Sequence, residues 1–200
     1  GVAATDWETG VISPGGVGYD INCGVRLLRS NMRKEEVLPK IKALVASLYA
    51  AIPTGVGSEG AAGKLKRAEL DHILDEGVSF IIKKGFGKPE DQQRIEQQGT
   101  LDWADSAAVS DHAKERGAKQ LGSLGSGNHF IEVQCVEEIF DGEAAAAFGL
   151  EKGTITVMIH SGSRGLGHQV CDDAVHRFGA ISEEKYRIHL PDRQLCSVPL

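Results

Sequence analysis

The sequence contains no run of about 18 consecutive apolar residues, the length that a membrane-spanning helix needs. Its apolar N-terminal stretch has neither the positively charged start nor the small-residue cleavage site of a signal peptide. It also lacks an initiator Met, and it ends in an extended apolar segment. We therefore expect a fragment, incomplete at both ends, of a longer protein that has no membrane partner.

Positive charge is not in excess, because 22 Lys and Arg residues face 28 Asp and Glu residues and give a net charge of −6. A compact nucleic-acid-binding module is usually basic, so the bulk charge argues mildly against such a partner without excluding a local basic groove. Cysteine is scarce as well, with four residues and no CxxC pair. This pattern is typical of free thiols in a reducing compartment, and we predict a cytoplasmic protein.

Hydrophobic periodicity predicts the main helices and strands. Apolar residues recur every three to four positions across 33–51, which predicts one amphipathic helix. β-Rich runs at 25–28, 130–136 and 154–159 predict strands. Because these elements follow one another irregularly, we predict an α+β fold with a mixed sheet and surrounding helices, as a single partial domain over 1–200. A doubly wound α/β fold is the alternative.

Three single residues carry further predictions about packing and capping. Ser110 is predicted to cap the N-terminus of a polar helix over 109–121, since a serine oxygen can accept a hydrogen bond from the first helical turn. Trp7 and Trp103 are expected to be packing residues. Five histidines lie in helical or loop contexts without a ligand partner, and we expect them to be ordinary polar residues: His72, His112, His168, His176 and His189.

Glycine is abundant by contrast, with 25 of 200 residues, and it clusters in three loops. Each loop places ligand-type side chains at the edge of a predicted strand: Asp20 and Cys23 in GGVGYDINCG, Asn128 and His129 in LGSGNHFIE, and His160 in IHSGSRGLGH. A carboxylate, a thiolate and two imidazoles together can hold a divalent metal. Cysteine and histidine favour zinc, whereas manganese prefers oxygen ligands, so the residue types predict one or two divalent ions without identifying them.

Each of these residues has a plainer interpretation when it is taken alone. A free cysteine is more often a small hydrophobe than a ligand, and a single histidine is more often a hydrogen-bonded polar residue. The loop over 121–129 resembles an anion-binding nest but lacks the Lys-Ser/Thr of a P-loop. Arg164 could hold a phosphate or carboxylate, or it could be a surface arginine that caps the following helix.

Three long stretches, in this order, resemble the RtcB family of RNA-splicing ligases: GGVGYDINCGVRLL (15–28), LGSLGSGNHFIEVQ (121–134) and VMIHSGSRGLGHQV (157–170). The resemblance implies an RtcB-like fold that binds two manganese ions and GTP. It implies that Asp20, Cys23, His129 and His160 bind metal, with the cysteine bridging the two ions. It also implies a contact with RNA or phosphate for Arg164 and a nucleotide-binding role for one continuous segment, made of Asn128, His129, Phe130, Ile131 and Glu132.

The resemblance implies a ligase that joins RNA 3′-phosphate or 2′,3′-cyclic phosphate ends to 5′-hydroxyl ends through GTP-dependent guanylylation, in tRNA splicing or RNA repair. The histidine that accepts the guanylate lies beyond Leu200 in the family, so we expect residues 1–200 alone to bind metal weakly and not to ligate. RNA, GTP and an activating partner of the archease type are the expected partners.

Two other functions remain open from the residues themselves. A metal-dependent phosphohydrolase or nucleotidase would also use a Cys/His/Asp centre beside a phosphate-binding loop. A non-catalytic glycine-rich binding domain would need no metal, and its histidines would be ordinary core residues. The positions of Asp20, Cys23, His129 and His160 relative to one another distinguish the metal-based functions from the last one, since metal–ligand bonds are only about 2 Å long.

Overall fold

The computed structural model describes residues 4–55 and 57–200. The chain divides into two compact units, each built from separate stretches of sequence. The first, called the helical unit here, contains the described residues up to 21 together with 63–119 and 165–200. The second, the sheet unit, contains 22–62 and 120–164. The single domain predicted from the sequence stays a prediction.

The strands and α-helices follow one another irregularly along the chain. In order they are β1 (Val11–Ile12), α1 (Pro14–Val17), β2 (Gly24–Arg33), α2 (Lys34–Val37), α3 (Ile41–Ala51), α4 (Arg67–Glu76), α5 (Val78–Lys83), α6 (Asp111–Gly117), β3 (Phe130–Cys135), α7 (Gly142–Phe148), β4 (Thr154–Ser161), α8 (Arg164–Glu184) and β5 (Val198–Pro199). Short 3-10 helices cover Leu38–Lys40, Pro89–Arg94, Glu96–Gly99, Ser106–Ala108 and Arg193–Leu195. The predicted α+β class is confirmed.

The sheet unit is built on three strands in the order β2-β4-β3, and both pairings are antiparallel. β4 is the central strand, and its β-branched start is buried at Thr154, Ile155 and Thr156. Central strands favour such residues because branched side chains pack well on a pleated surface. β1 and β5 form a second pair in the helical unit, also antiparallel. The pairing in the described residues is therefore antiparallel throughout, where a mixed sheet was expected.

Helix α3 and strand β3 line a common groove in the sheet unit. Apolar side chains of the helix, among them Val45 and Leu48, line a groove of about 440 Å³ with Ile131 and Val133 of the strand. The single helix predicted over 33–51 is wrong in one respect, because a 3-10 turn at Leu38–Lys40 separates α2 from α3. That turn contains a proline, which has no backbone N–H to continue an α-helical ladder.

The helical unit contains the most completely buried side chains of the described chain. Leu70, Ala113 and Val175 are each no more than 2% exposed. Cys171 and Cys196 are buried beside Val175. The predicted N-cap is confirmed, since the Ser110 hydroxyl accepts a hydrogen bond from the backbone N–H of Ala113 at 3.1 Å.

Two tryptophans were expected to pack in the interior, and this expectation is wrong. Trp7 is 89% exposed and Trp103 is 74% exposed. Both lie in irregular segments, where an apolar ring has no helix or strand face to direct it inward.

In the part of the chain that the structure describes, no helix combines the length and the apolar character that crossing a bilayer requires.

Candidate metal centre

The candidate site lies where three chain segments meet at one end of the three-stranded sheet. Cys23 directly precedes β2, His129 directly precedes β3, and His160 is the penultimate residue of β4. Because β2 and β3 both run antiparallel to β4, their first residues lie beside the last residues of β4. Antiparallel pairing therefore brings together side chains that are 106 and 137 positions apart in the sequence.

The register of the strands fixes which side chains share a face with His160. His160 is paired with Val25 on β2 and with Phe130 on β3. Directly paired residues point to the same face of a sheet, and their chain neighbours point to the other face. The rings of Phe130 and His160 accordingly meet edge to face, with centroids 5.2 Å apart.

The thiol of Cys23 contacts both imidazoles. Its Sγ atom lies 3.2 Å from Nε2 of His160 and 3.5 Å from Nε2 of His129. One ligand atom from each of these three residues lies within 4.8 Å of the other two. The two imidazole rings are themselves in edge-to-face contact at 5.4 Å.

These distances fit a shared metal ion. With a metal–sulfur bond of about 2.3 Å and a metal–nitrogen bond of about 2.05 Å, ligand atoms lie about 3.1 Å apart at a right angle and about 3.6 Å apart at a tetrahedral angle. The observed sulfur–nitrogen separations of 3.2 and 3.5 Å fall within that range. Cys23, His129 and His160 therefore have both the chemistry and the spacing of three ligands to one cation.

The loop that carries His129 is tied to its neighbours by backbone groups. The N–H of Leu124 donates to the carbonyl of Pro53 at 2.9 Å, and the N–H of Gly55 donates to the carbonyl of Gly125 at 2.7 Å. The hydroxyl of Ser161 donates to the carbonyl of Leu124 at 2.8 Å. These bonds hold a loop of small residues in one position beside the end of β4.

Arg164 supports the ring of His129 from the side away from Cys23. Its guanidinium donates to Nδ1 of His129 at 3.0 Å. Because arginine can only donate, Nδ1 is the acceptor and a neutral ring carries its proton on Nε2. Gly125 lies against both groups: an added Cβ would come within 2.2 Å of the guanidinium and 2.4 Å of Nδ1. With its φ of +107°, this position requires glycine.

The other predicted site residues are placed as follows. Asp20 belongs to the helical unit and is not one of the three clustered residues, so its role as a ligand stays a prediction. Phe130 and Glu132 project from β3 on the face that carries His160. Ile131 projects from the opposite face and lines the apolar groove against α3. Asn128 is exposed in the loop before β3.

Sequence reasoning missed two residues at this end of the sheet. Gly125 was one of many loop glycines, and its need for close approach follows only from the positions of Arg164 and His129. Arg26 was not singled out, although it lies three residues after Cys23 and lines a pocket beside it. Its position in a predicted strand that begins at a ligand loop is the signal that could have identified it.

Comparison with known proteins adds an independent finding. The family model described as "tRNA-splicing ligase RtcB" matches residues 1–200. The chain belongs to the RtcB family. It is 55% identical to the tRNA-splicing ligase RtcB of Aeropyrum pernix and 52% identical to that of Methanococcus maripaludis, in each case over 100% of this chain and 41% of the relative. It is 49% identical to the RNA-splicing ligase RtcB of Mycobacterium bovis over 100% of this chain and 46% of the relative.

The chain therefore spans less than half the length of these RtcB relatives. The residues that the family resemblance singled out in the three loops are present here, and three of them meet around one point. Family membership and this geometry rest on different observations, since the first uses the order of residues in the sequence and the second their positions in space.

Proposed function

We propose that this chain is part of an RNA ligase that joins RNA 3′-phosphate or 2′,3′-cyclic phosphate ends to 5′-hydroxyl ends, in tRNA splicing or RNA repair. The observation that carries the proposal is the contact of the Cys23 thiol with the imidazoles of His129 and His160, at 3.5 and 3.2 Å, in a chain of the RtcB family. A ligase that brings an RNA 3′-phosphate together with a nucleotide phosphate needs positive charge where the two phosphates meet, and this cluster can supply it by holding a cation.

Cys23, His129 and His160 are proposed to hold manganese, with Asp20 as a further ligand, and Cys23 would also contribute to the binding of a second ion. When bound, such ions offset the negative charge of approaching phosphates and polarise the oxygen under attack. An oxygen ligand such as Asp20 would suit manganese better than sulfur and nitrogen ligands alone. This ligand set also explains why a thiol beside two imidazoles lies at the end of the sheet instead of in the interior.

We propose GTP as the co-substrate. A histidine outside residues 1–200 attacks the α-phosphate and pyrophosphate leaves; the guanylate then passes to the RNA 3′-phosphate, and the 5′-hydroxyl displaces GMP. Such covalent transfer divides one difficult condensation into easier steps. Asn128, His129, Phe130, Ile131 and Glu132 are proposed to bind the nucleotide. Phe130 and Glu132 share the face of His160, which supports a direct contact with the nucleotide for these two residues.

Arg164 is proposed to bind a phosphate of the substrate. In the structure its guanidinium donates to Nδ1 of His129, while its Nε is buried and has no hydrogen-bond partner within the described residues. Coordination through Nε2 of His129 requires the ring proton on Nδ1, and Arg164 then loses its acceptor. The planar guanidinium would be available to a phosphate at the same moment that the site becomes competent.

An activating partner of the archease type and a cytoplasmic location complete the proposal. The location is supported by the free thiols of Cys135, Cys171 and Cys196, which fit a reducing compartment. The partner is an expectation from the family alone.

The direct test uses the full-length protein with manganese, GTP and two RNA strands, one ending in a labelled 3′-phosphate and the other beginning with a 5′-hydroxyl. The proposal predicts a joined strand that retains the labelled phosphate at the junction. Cys23→Ala is expected to reduce joining by about 100-fold or more, since it removes a proposed metal ligand, while Cys135→Ala serves as the matched control. Release of the label as inorganic phosphate, without a joined strand, would identify a phosphohydrolase instead.

A further inference from the structure

A second polar pocket lies on the sheet unit beside the metal centre. It has a volume of about 260 Å³ and is lined by Arg26 and Ile159 on the strands and by Asn22, Ser161, Gly162 and Ser163 at the strand ends. Arg26 is paired with Ile159, one step from the pair of Val25 with His160, so it projects from the opposite face of the sheet to His160. The pocket and the metal centre therefore share the chain around Cys23 while opening on different faces.

The pocket contains a guanidinium whose charge is not matched by a carboxylate. Across residues 4–55 and 57–200, Arg26 forms one hydrogen bond, from Nη1 to the carbonyl of Val25 at 3.2 Å, and no ion pair. Arginine carries five N–H donors, so most of those on Arg26 remain available. Gly24 leaves room for the guanidinium, because an added Cβ would lie 3.3 Å from Nη1.

A hydroxyl in the same pocket also has no partner. The Oγ atom of Ser163 is buried and makes no hydrogen bond to any described residue. Buried polar atoms are hydrogen-bonded in nearly all proteins, so this hydroxyl lacks a partner that the described residues do not supply. Arg26 is exposed, and its available N–H donors lie in the same pocket as the residue with the unpartnered hydroxyl. A guanidinium and a hydroxyl together are complementary to an anion with several oxygens, and phosphate is such an anion.

We propose that this pocket binds a backbone phosphate of the RNA. The proposal rests on the RNA-joining function proposed above. The pocket is smaller than the roughly 300–1,000 Å³ of sites that enclose a drug-sized ligand, which favours one phosphate with its sugar over a whole GTP molecule. The phosphate tail of GTP has the same chemistry, and the experiment below separates the two sources.

The test compares Arg26→Ala, Arg26→Lys and the control Arg29→Ala in the full-length protein. Arg29 lies on the same strand and donates to the carbonyl of Gly149 at 3.2 Å, outside the pocket. Binding of a fluorescent RNA with a 3′-phosphate is measured at several salt concentrations, and guanylylation is measured with labelled GTP. Thermal melting of each variant checks that it is folded.

Arg26→Ala is expected to weaken RNA binding about tenfold and to reduce the slope of log affinity against log salt by about one, because one phosphate contact is lost. Arg26→Lys should recover part of the affinity, since it keeps the charge and loses the planar fork. Guanylylation should stay within about twofold of the wild type, and Arg29→Ala should keep both properties.

Three results would overturn the proposal. Unchanged RNA affinity and salt slope in Arg26→Ala, with a wild type that still joins RNA, would reject the pocket and leave the ligase function intact. Loss of guanylylation with RNA binding intact would assign the phosphate to the nucleotide. A wild type that neither binds nor joins RNA would reject both proposals.

Discussion

The cysteines of the two units have the same side chain in opposite surroundings. Cys23, in the sheet unit, is exposed and lies between two imidazoles. Cys171 and Cys196, in the helical unit, are buried, and their thiols donate to the backbone carbonyls of Pro14 and Val175. Burial raises the pKa of both thiols in the helical unit. Surroundings, more than residue type, therefore distinguish the clustered thiol of Cys23 from the two packing thiols.

The same contrast holds for apolar side chains. In the helical unit, Leu70 and Val175 are almost fully buried. On β2 of the sheet unit, Val25, Leu27 and Leu28 are each about half exposed, at 47%, 50% and 49%. The strand next to the cluster is therefore open in the described residues, whereas Leu70 and Val175 lie in a closed core. Four predictions test this division, from the largest expected effect to the smallest.

Thiol labelling should separate the cysteines most strongly. In the metal-free native protein, Cys23 is expected to react with iodoacetamide more than about 1,000-fold faster than Cys171 or Cys196, because buried thiols react only when the structure opens. Their raised pKa lowers the thiolate fraction and slows them further. Mass spectrometry of peptides over a time course measures each rate. Equal labelling rates for Cys23 and Cys196 would contradict the distinction between an exposed thiol and a buried one.

Removing an imidazole ligand should have the next largest effect. His160→Ala is expected to weaken metal binding by about 100-fold or more, since even outer contacts of a metal site are worth 10- to 100-fold. Competition with a chelating dye measures the affinity. His176→Ala, an exposed histidine of the helical unit, should leave the affinity unchanged. A similar loss in both variants would show that the effect is not specific to the cluster.

The third prediction concerns Gly125, which lies against His129 and Arg164. Gly125→Ala is expected to weaken metal binding by about 10-fold, since the added Cβ displaces His129 and Arg164. Gly127 is the matched control: its φ is also positive, at +74°, but nothing lies within 4 Å of an added Cβ. The same dye competition compares the two variants. If Gly127→Ala weakens metal binding as much as Gly125→Ala, then backbone strain explains the loss of affinity, and the contact with His129 does not.

The smallest effect concerns pH and the helical unit. The ammonium of Lys114 lies 2.7 Å from Oδ1 of Asp71 and lowers the pKa of that carboxyl below its ordinary value of 3.8. A carboxyl with a lowered folded-state pKa stabilises the protein above its unfolded pKa, and this stability is lost as the pH falls through the lower folded value. Asp71→Asn should therefore lower the melting temperature by a few degrees at neutral pH and by progressively less below pH 3.8.

Melting curves of the full-length protein between neutral and acidic pH measure this effect. Glu90→Gln, which removes an exposed carboxylate of the same unit, should change the melting temperature little at any pH. A difference between Asp71→Asn and the wild type that persists undiminished at low pH would mean that the ionised carboxylate is not its cause.

Sequence patterns predicted those structural features that depend on residues close together in the chain. The cap at Ser110 and the strand beginning near Val25 follow from local chemistry and alternation, and both are present. The break after α2 was missed because the apolar period continues through Pro39. Exposure of Trp7 and burial of Cys196 depend on what the rest of the chain places around them, which no local pattern contains.

The candidate site was predictable in its residue types and not in its geometry. The three glycine-rich loops indicated Cys23, His129 and His160, but their convergence needs antiparallel pairing of β2 and β3 with β4. Ile131 also shows that a sequence motif does not fix where each side chain points. The motif groups it with Phe130 and Glu132, whereas strand alternation turns its side chain toward α3.

Cobalt binding tests the central claim most directly, because a thiolate ligand to Co²⁺ gives an intense sulfur-to-metal charge-transfer absorption. The full-length protein is titrated with Co²⁺, alongside Cys23→Ala and Cys135→Ala. This absorption is expected in the wild type and in Cys135→Ala, and it should be lost in Cys23→Ala. An absorption that survives in Cys23→Ala, or that is missing from the wild type at saturating Co²⁺, would contradict a metal centre built on Cys23, His129 and His160.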